Sequence, residues 1–550
     1  MPKIPKTIAS QHPDHASIPY WMKKEFISTQ DETQEVYLAF SELGIEEYKW
    51  DWEGKFVDES VIERLFSQYY EYFRQNQLGT DKFITYRLPN PTVETEQRLG
   101  RAFMGILSAS ALAKSVNLHT PPMEQVILPM CKSAQSIIEI QEAFREIASM
   151  KHWLFGFQNT GLKHIQVIPL FEDIETISNS DQILAEYVKI HKEKFGFEPN
   201  YLRPYVARSD PSLNSGHIAT VLAIKMAFSK YLEFEQKTGI ELFPIIGCAA
   251  LPFRGGLTPL NVKDFLSQYS GVRTILIQSA FRYDYSKAES IQGIKDIGEN
   301  ILNYDAKVLT TKNYRDLKEM MTIFELPYKE KVENLADLIN YIGKFFPSRR
   351  ERVQHTGLFG YSRGVGKVTL PRAIKFTGCL YSIGLPPTII GMGKALRKVL
   401  EINKLDVLNE FYVNLVKDYQ NDANFVNMEV LENLAKNDSD FHQKEVFVGI
   451  LEDIKTIKEI LKIEFGPKTK DEIEHQKLTT QIAKELGLLG ESGSLKSGLN
   501  SGQNLISSLD SKSEQNSNLP NLPKNLDEKS NLTKIQDLIT KAGICRKSLG

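Results

Sequence analysis

Two carboxylates, Glu172 and Asp210, and the arginines Arg87, Arg208, Arg254, Arg282, Arg363 and Arg372 stand at or just beyond the ends of short apolar runs. In VIPLFEDIE (167–175) one such run leads straight into Glu172, Asp173 and Glu175. Two hard oxygen donors on adjacent strands suit Mg2+ or Mn2+, with water and substrate oxygens filling the other positions. Arginine's planar fork binds phosphate and carboxylate in bidentate fashion and stays charged at any working pH. In FRGGL, Gly255 and Gly256 follow Arg254, a pair expected to let backbone N–H groups approach a phosphate. Taken singly, each of these residues is more often a cap or a surface ion pair. Taken together, carboxylates that hold a metal beside several arginines point to a phosphorylated or carboxylated small molecule.

The elements that must position them repeat along the chain. Apolar runs occur at 45–52, 82–89, 125–131, 164–172, 201–210, 241–249, 273–281 and 355–363, with helix-like stretches between most of them. Nearly continuous apolar strands alternating with helices indicate a parallel sheet covered on both faces. Eight such units give the expected fold class: α/β, a (β/α)8 TIM-type barrel with additional C-terminal helices. Chemistry in that fold gathers at the C-terminal strand ends, which adds Asp51, Glu53, Lys132 and Gln278 to the mouth. The catalytic barrel is expected over 1–391, with an inserted helical segment in 285–345 before the last strand. A helical extension packs on it over 392–489. Residues 490–531, rich in Ser, Asn, Gly and Lys, read as a disordered linker, and 532–550 as a helix and tail.

Of 550 residues, 67 are Lys or Arg and 69 are Asp or Glu, a balance that argues against a dedicated nucleic-acid binder. Cys131, Cys248, Cys379 and Cys545 lie far apart and form no CxxC pair, so a reducing cytoplasm is the expected compartment. Cys131 and Cys248 read as small core residues rather than nucleophiles. No run has the length of a membrane helix and the N-terminal stretch lacks an apolar signal core, so no membrane association is expected.

With these residues in order, the chain resembles phosphoenolpyruvate carboxylase in its short, archaeal-type form. SQHPD, YKWDWEGKFVD, LPNPTVE, VIPLFEDIE, ARSDPSLNSG, FPIIGCAALPFRGG and GLFGYSRG carry the resemblance jointly. It implies that Glu172 and Asp210 hold Mg2+ or Mn2+. Arg254, Arg363 and Arg372 would bind the phosphate and organise the reacting groups, Arg87 would face the bicarbonate-derived group, and His12 would match the histidine of the family. Ile246, Cys248 and Leu213 stand where longer members carry cationic residues; Arg208, Arg282 or Lys132 would supply that charge. Gly550 matches the family's C-terminal glycine and is expected to fold back over the barrel mouth.

The reaction so implied is irreversible β-carboxylation of phosphoenolpyruvate by bicarbonate to oxaloacetate and phosphate, through carboxyphosphate and the enolate of pyruvate. It replenishes four-carbon acids, and a homotetramer is the implied assembly. The alternative is another Mg2+-dependent enolate-forming barrel enzyme acting on phosphoenolpyruvate or a related 2-oxo acid. Bicarbonate dependence separates the two.

Overall fold

Eight short strands pair in parallel into a closed ring, so every barrel strand has a neighbour on both sides. In chain order they are β1 (Thr7–Ser10), β2 (Glu47–Asp51), β3 (Phe83–Arg87), β4 (Gln125–Leu128), β5 (Gln166–Phe171), β6 (Tyr205–Ala207), β7 (Ile245–Gly247) and β8 (Thr274–Ile277). The computed structural model describes residues 3–52, 57–92, 94, 96–150, 161–351, 363–365, 368–439, 441–489 and 526–550.

Inward-pointing side chains fill the ring in layers, as alternation along each strand requires. Ile8, Ile127, Ile168, Leu170, Tyr205, Ala207, Ile245 and Leu276 form the apolar middle. Below it, at the N-terminal strand ends, Arg203 donates to Glu47 at 2.6 Å, both side chains being almost wholly buried. Above it lie the polar residues of the mouth. A much larger apolar cluster, outside the ring, packs the helices onto the strands.

The expected barrel holds, but its eighth strand is not the one expected. Among the described residues the ring closes on eight strands without the run 355–363. Most of it lies outside the described residues, and Arg363–Val365 pairs antiparallel with Val368–Leu370 as a separate hairpin. The missing strand is β1, which closes the barrel by pairing with β8 on one side and β2 on the other. TIAS holds only two apolar residues, too few to register as a periodic run; it is buried because both neighbours supply ladder partners. The helical segment expected before the last strand therefore follows β8. Two other runs are split by proline, which cannot donate to a ladder. Tyr201–Leu202 and Glu241–Leu242 pair first, Pro204 and Pro244 break each strand, and β6 and β7 resume inside the ring.

The helices needed below are α1 (Ala134–Ala148), α2 (Ser180–Phe195), α3 (Ser209–Ser215), α4 (Thr311–Gly343), α5 (Ala373–Tyr381), α6 (Leu415–Ala423), α7 (Lys470–Glu485) and α8 (Leu526–Cys545). Capping explains several of their starts: the Ser133 hydroxyl accepts from Ser136 N at α1, and the Thr469 side chain completes a capping box at α7. Residues 490–525 of the expected linker lie outside the described residues, and α8 begins at Leu526.

α8 packs along α7 and delivers a buried tail to the barrel. Leu549 N donates to Asp14 O at 2.7 Å, and Arg546 closes the turn onto Leu549 O at 2.6 Å. Gly550 lies so close to α5 that a Cβ there would overlap the Ile374 carbonyl oxygen and stand 2.8 Å from Gly378 N. Gly550→Ala is therefore expected to undock the tail without unfolding the barrel. Trypsin cleavage after Arg546 and Lys547, followed by mass spectrometry, should accelerate about tenfold or more, while the Tm of the main transition holds.

Beside the tail, buried Asp422 of α6 accepts from Thr388 Oγ1 at 2.5 Å and from the Tyr381 hydroxyl. Burial, opposed by these two hydrogen bonds, pushes its carboxyl up to about 7. A carboxyl whose folded pKa stands above its unfolded value stabilises the fold at low pH and loses that contribution as pH rises through 7. Asp422→Asn should flatten the stability loss between pH 6 and pH 8 by about 1 kcal/mol, read by denaturant titration at each pH.

Candidate active site

The mouth begins with a charged cluster on β2 and β3. Lys49 and Asp51 alternate with Trp50, so both point inward, and their side chains meet at 2.9 Å. Arg87, last in β3, brings its Nε to the same Asp51 oxygen at 2.8 Å. All three are buried. Burial alone would raise the Asp51 pKa, but Arg87 and Lys49 hold the carboxyl well below its usual range. One anion thus fixes two cations at the strand ends.

His12, on the loop after β1, sets its Nδ1 2.9 Å from Ser10 Oγ. Its pKa lies well below 6.5, first because it is surrounded by protein and then because Lys49, Arg87 and Arg254 face it, with Asp51 opposing. The imidazole is neutral at neutral pH.

Arg254 sits across the mouth, in a single 3-10 turn (Pro252–Arg254) after β7. Its Nε donates to Ser209 Oγ at 3.1 Å, and its two amino groups donate to Gln278 Oε1 at 2.7 Å and to the carbonyl of Gly550. Asp14, on the His12 loop, faces it at 3.6 Å. Burial raises the Asp14 pKa, against the pull of Arg254. Gly550 therefore reaches the mouth as expected and meets the arginine of the RGG run directly.

The two glycines of that run serve a different purpose from the one expected. Gly255 N donates to Pro252 O and Gly256 N to Leu251 O, so both N–H groups are engaged in the turn. The requirement is steric. Gly255 has φ +125°, and a Cβ there would stand 2.7 Å from Cys248 Cβ and 3.2 Å from Arg208 Cγ.

The carboxylates Glu172 and Asp210 follow β5 and β6, which are neighbours in the ring. Glu172 Oε2 accepts from Met130 N at 2.8 Å, and Met130 holds φ +51°, an uncommon backbone conformation that aims this N–H at the carboxylate. Burial lowers the Arg254 guanidinium pKa, and Asp14 and then Asp210, on α3, oppose that shift. The neighbouring carboxylate of VIPLFEDIE acts locally, for Asp173 caps the next helix by accepting from Thr176 N at 2.7 Å. Among the described residues no three His, Cys, Asp or Glu side chains gather as a ready cage. Two carboxylates with the remaining positions left to water and substrate are what Mg2+ takes, and the Met130 contact orients one of them as an outer-shell partner does.

The other expected residues divide clearly. Arg372 stands half-buried at the start of α5. Arg363 opens the hairpin, its side chain outside the described residues, as is Glu53. Lys132 is exposed on the loop after β4. Arg208 and Arg282 are turned into the protein. Arg208 donates to Tyr269 OH and His217 Nδ1, both at 2.8 Å, and to Ser212. Arg282 donates to Ser10 O at 2.7 Å and pairs with Glu35 at 3.2 Å. They brace the strand ends rather than line the mouth. Cys131 and Cys248 are buried, and burial raises both thiols, Cys131 to about 11.

Sequence reasoning missed Lys49 and Asp14. Lys49 was legible: in YKWDW a lysine two residues before an inward aspartate must share its face. Asp14 lies two residues after His12, but its partner Arg254 is far along the chain and nothing local announces it.

Comparison with known proteins identifies the family. The family described as phosphoenolpyruvate carboxylase matches residues 4–550. A phosphoenolpyruvate carboxylase of Leuconostoc mesenteroides is 39% identical over 482 residues, covering 87% of this chain and 94% of that protein. Those of Metallosphaera sedula and Pyrococcus horikoshii are each 37% identical, covering 87% and 78% of this chain and 94% and 90% of theirs. Matched from its first barrel strand to the glycine that meets Arg254, the chain belongs to the phosphoenolpyruvate carboxylase family.

Proposed function

We propose that the chain is a carboxy-lyase that joins bicarbonate to phosphoenolpyruvate and releases oxaloacetate and phosphate. The observation that carries this reading is the meeting of Arg254, Asp14, Gln278 and Gly550 beside Asp210, in a chain of that family. Bicarbonate oxygen attacks the phosphorus, the enolate of pyruvate leaves, and carboxyphosphate then yields carbon dioxide and phosphate. The enolate carbon attacks carbon dioxide to complete oxaloacetate.

Mg2+ or Mn2+ held by Glu172 and Asp210 would neutralise charge on the phosphoryl and enolate oxygens. Arg254 places a fixed positive charge at the phosphate position, its plane set by Ser209, Gln278 and Gly550. By the family resemblance, Arg363 and Arg372 would bind the phosphate with it. Arg87, fixed by Asp51, faces the bicarbonate-derived group. Neutral His12 keeps an uncharged face toward carbon dioxide and can accept a proton as carboxyphosphate breaks down. The buried tail excludes water that would protonate the enolate to pyruvate. The same reading carries a homotetramer and a cytoplasmic location; four unpaired cysteines fit a reducing compartment.

The test is oxaloacetate formation from phosphoenolpyruvate and Mg2+, with and without bicarbonate, coupled to NADH oxidation by malate dehydrogenase. Bicarbonate-dependent product is expected, falling by about 10²–10³ in Asp210→Asn. Pyruvate formed without bicarbonate would indicate the alternative enolate chemistry, and no turnover of phosphoenolpyruvate would sink the reading. His12→Asn should lower kcat by about 10²-fold or more. In the wild type, kcat/KM between pH 6 and pH 8 should show no limb from His12, because its depressed pKa leaves it neutral throughout.

A further inference from the structure

Beneath the mouth, four side chains from distant parts of the chain form one hydrogen-bonded line. Arg208, the residue before α3, donates from Nη2 to His217 Nδ1 at 2.8 Å. A guanidinium can only donate, so Nδ1 is the acceptor and the proton of the neutral imidazole is on Nε2. That N–H meets the Tyr412 hydroxyl at 2.5 Å, and the hydroxyl donates to Asp418 Oδ2 at 2.6 Å. Every bond in the line therefore runs the same way, from Arg208 to Asp418. Arg208, His217 and Tyr412 are buried and Asp418 is half-buried. His217 opens the long helix His217–Thr238, whereas Tyr412 and, in α6, Asp418 belong to the helical extension.

The line begins against the stretches that carry the charges of the mouth. Arg208 is the cap residue of α3, two positions before Asp210, and it also donates to Ser212 within that helix. Its Cγ packs against Gly255, where a Cβ would stand 3.2 Å away, and the His217 ring meets the backbone of Phe253, the residue before Arg254. The far end sets the direction of the line. An ionised carboxylate only accepts, so Asp418 takes the Tyr412 proton and leaves the phenol oxygen to accept from His217. Nδ1 is bare toward Arg208 only while Nε2 holds the proton. Without Asp418, the Tyr412 hydroxyl could turn its proton to Nε2, and the ring proton would move to Nδ1, against the Arg208 N–H.

We propose that Tyr412 and Asp418 are positioning residues for Asp210: by fixing the tautomer of His217 they hold Arg208, and Arg208 holds the start of α3. The proposal rests on the reading of Asp210 as a ligand of Mg2+ or Mn2+. It extends the residues that tune the metal from the barrel into the helical extension, as outer-shell partners tune a ligand through its orientation.

Mn2+ is the probe, because its binding is read without turnover. Titrated into the EDTA-treated full chain, it loses its free-ion EPR signal as it binds. Asp210→Asn should weaken binding at least about tenfold, which tests the underlying reading. Tyr412→Phe, which deletes one oxygen from the line, and Asp418→Leu, which deletes the terminal acceptor, should each weaken it about fivefold. The two together should cost no more than either alone, because one break already frees the tautomer. Asp418→Asn keeps an oxygen that can accept from Tyr412 and should bind Mn2+ more tightly than Asp418→Leu. In turnover, the half-saturating Mg2+ concentration of Tyr412→Phe should rise in the same proportion while kcat at saturating Mg2+ stays within about twofold. Tyr412→Phe decides the matter should Asp418→Leu fail to fold. Wild-type affinity in Tyr412→Phe beside a loss in Asp210→Asn, or losses that multiply in the double variant, would overturn the proposal and leave the metal reading standing. Wild-type affinity in Asp210→Asn would overturn both.

Discussion

The buried guanidinium of Arg254 is the charge on which the rest of the mouth depends. A charge removed from water costs several kcal/mol unless partners are placed around it. Here they come from four separate stretches: Asp14 after β1, Ser209 at the start of α3, Gln278 after β8 and Gly550 in the tail. Satisfying one arginine therefore orders the histidine loop, the helix that carries Asp210 and the tail together. The RGG turn reflects the same demand, since Gly255 must sit against Cys248 and Arg208 for Arg254 to reach its partners.

A second electrostatic choice complements it. Lys49, Arg87 and Arg254 all face His12, and their combined field adds to burial in keeping that ring uncharged. Asp51 limits the repulsion between two of these cations by binding both. The mouth is thus cationic toward an anionic substrate yet neutral at the one ring placed beside it. Arg208 and Arg282 contribute rigidity, each engaged with hydroxyl, carbonyl or carboxylate groups beneath the mouth.

How much of this was legible depended on whether the signal was local. Seven of the eight barrel strands lay within apolar runs of the sequence, because strands buried on both faces have little choice of composition. β1 escaped because four residues flanked by polar ones carry almost no periodic signal; its burial comes from two neighbours, one of which pairs Ala9 with the distant Ile277. Glu172, Asp210 and Arg254 stood out at run ends. Arg208 and Arg282 looked the same in sequence, and only the fold shows that their charges turn inward. Partnerships such as Asp14 with Arg254 or His217 with Tyr412 are set by three-dimensional closure, which no spacing encodes.

That β1 is both the first strand and the seam of the barrel has a consequence for synthesis. During translation, residues 7–10 leave the ribosome with one partner soon available in β2 and the other, β8, not made until residue 277. The ring cannot close until half the chain has emerged, and the tail contact to Asp14 forms only when residue 549 is free. The nascent chain thus carries an open sheet edge for about half of its synthesis, the condition under which unpaired strands recruit chaperones or one another. The mouth is therefore finished by residues made long after the barrel strands, so chains truncated before residue 546 hold the barrel but lack the contact to Arg254 that completes it.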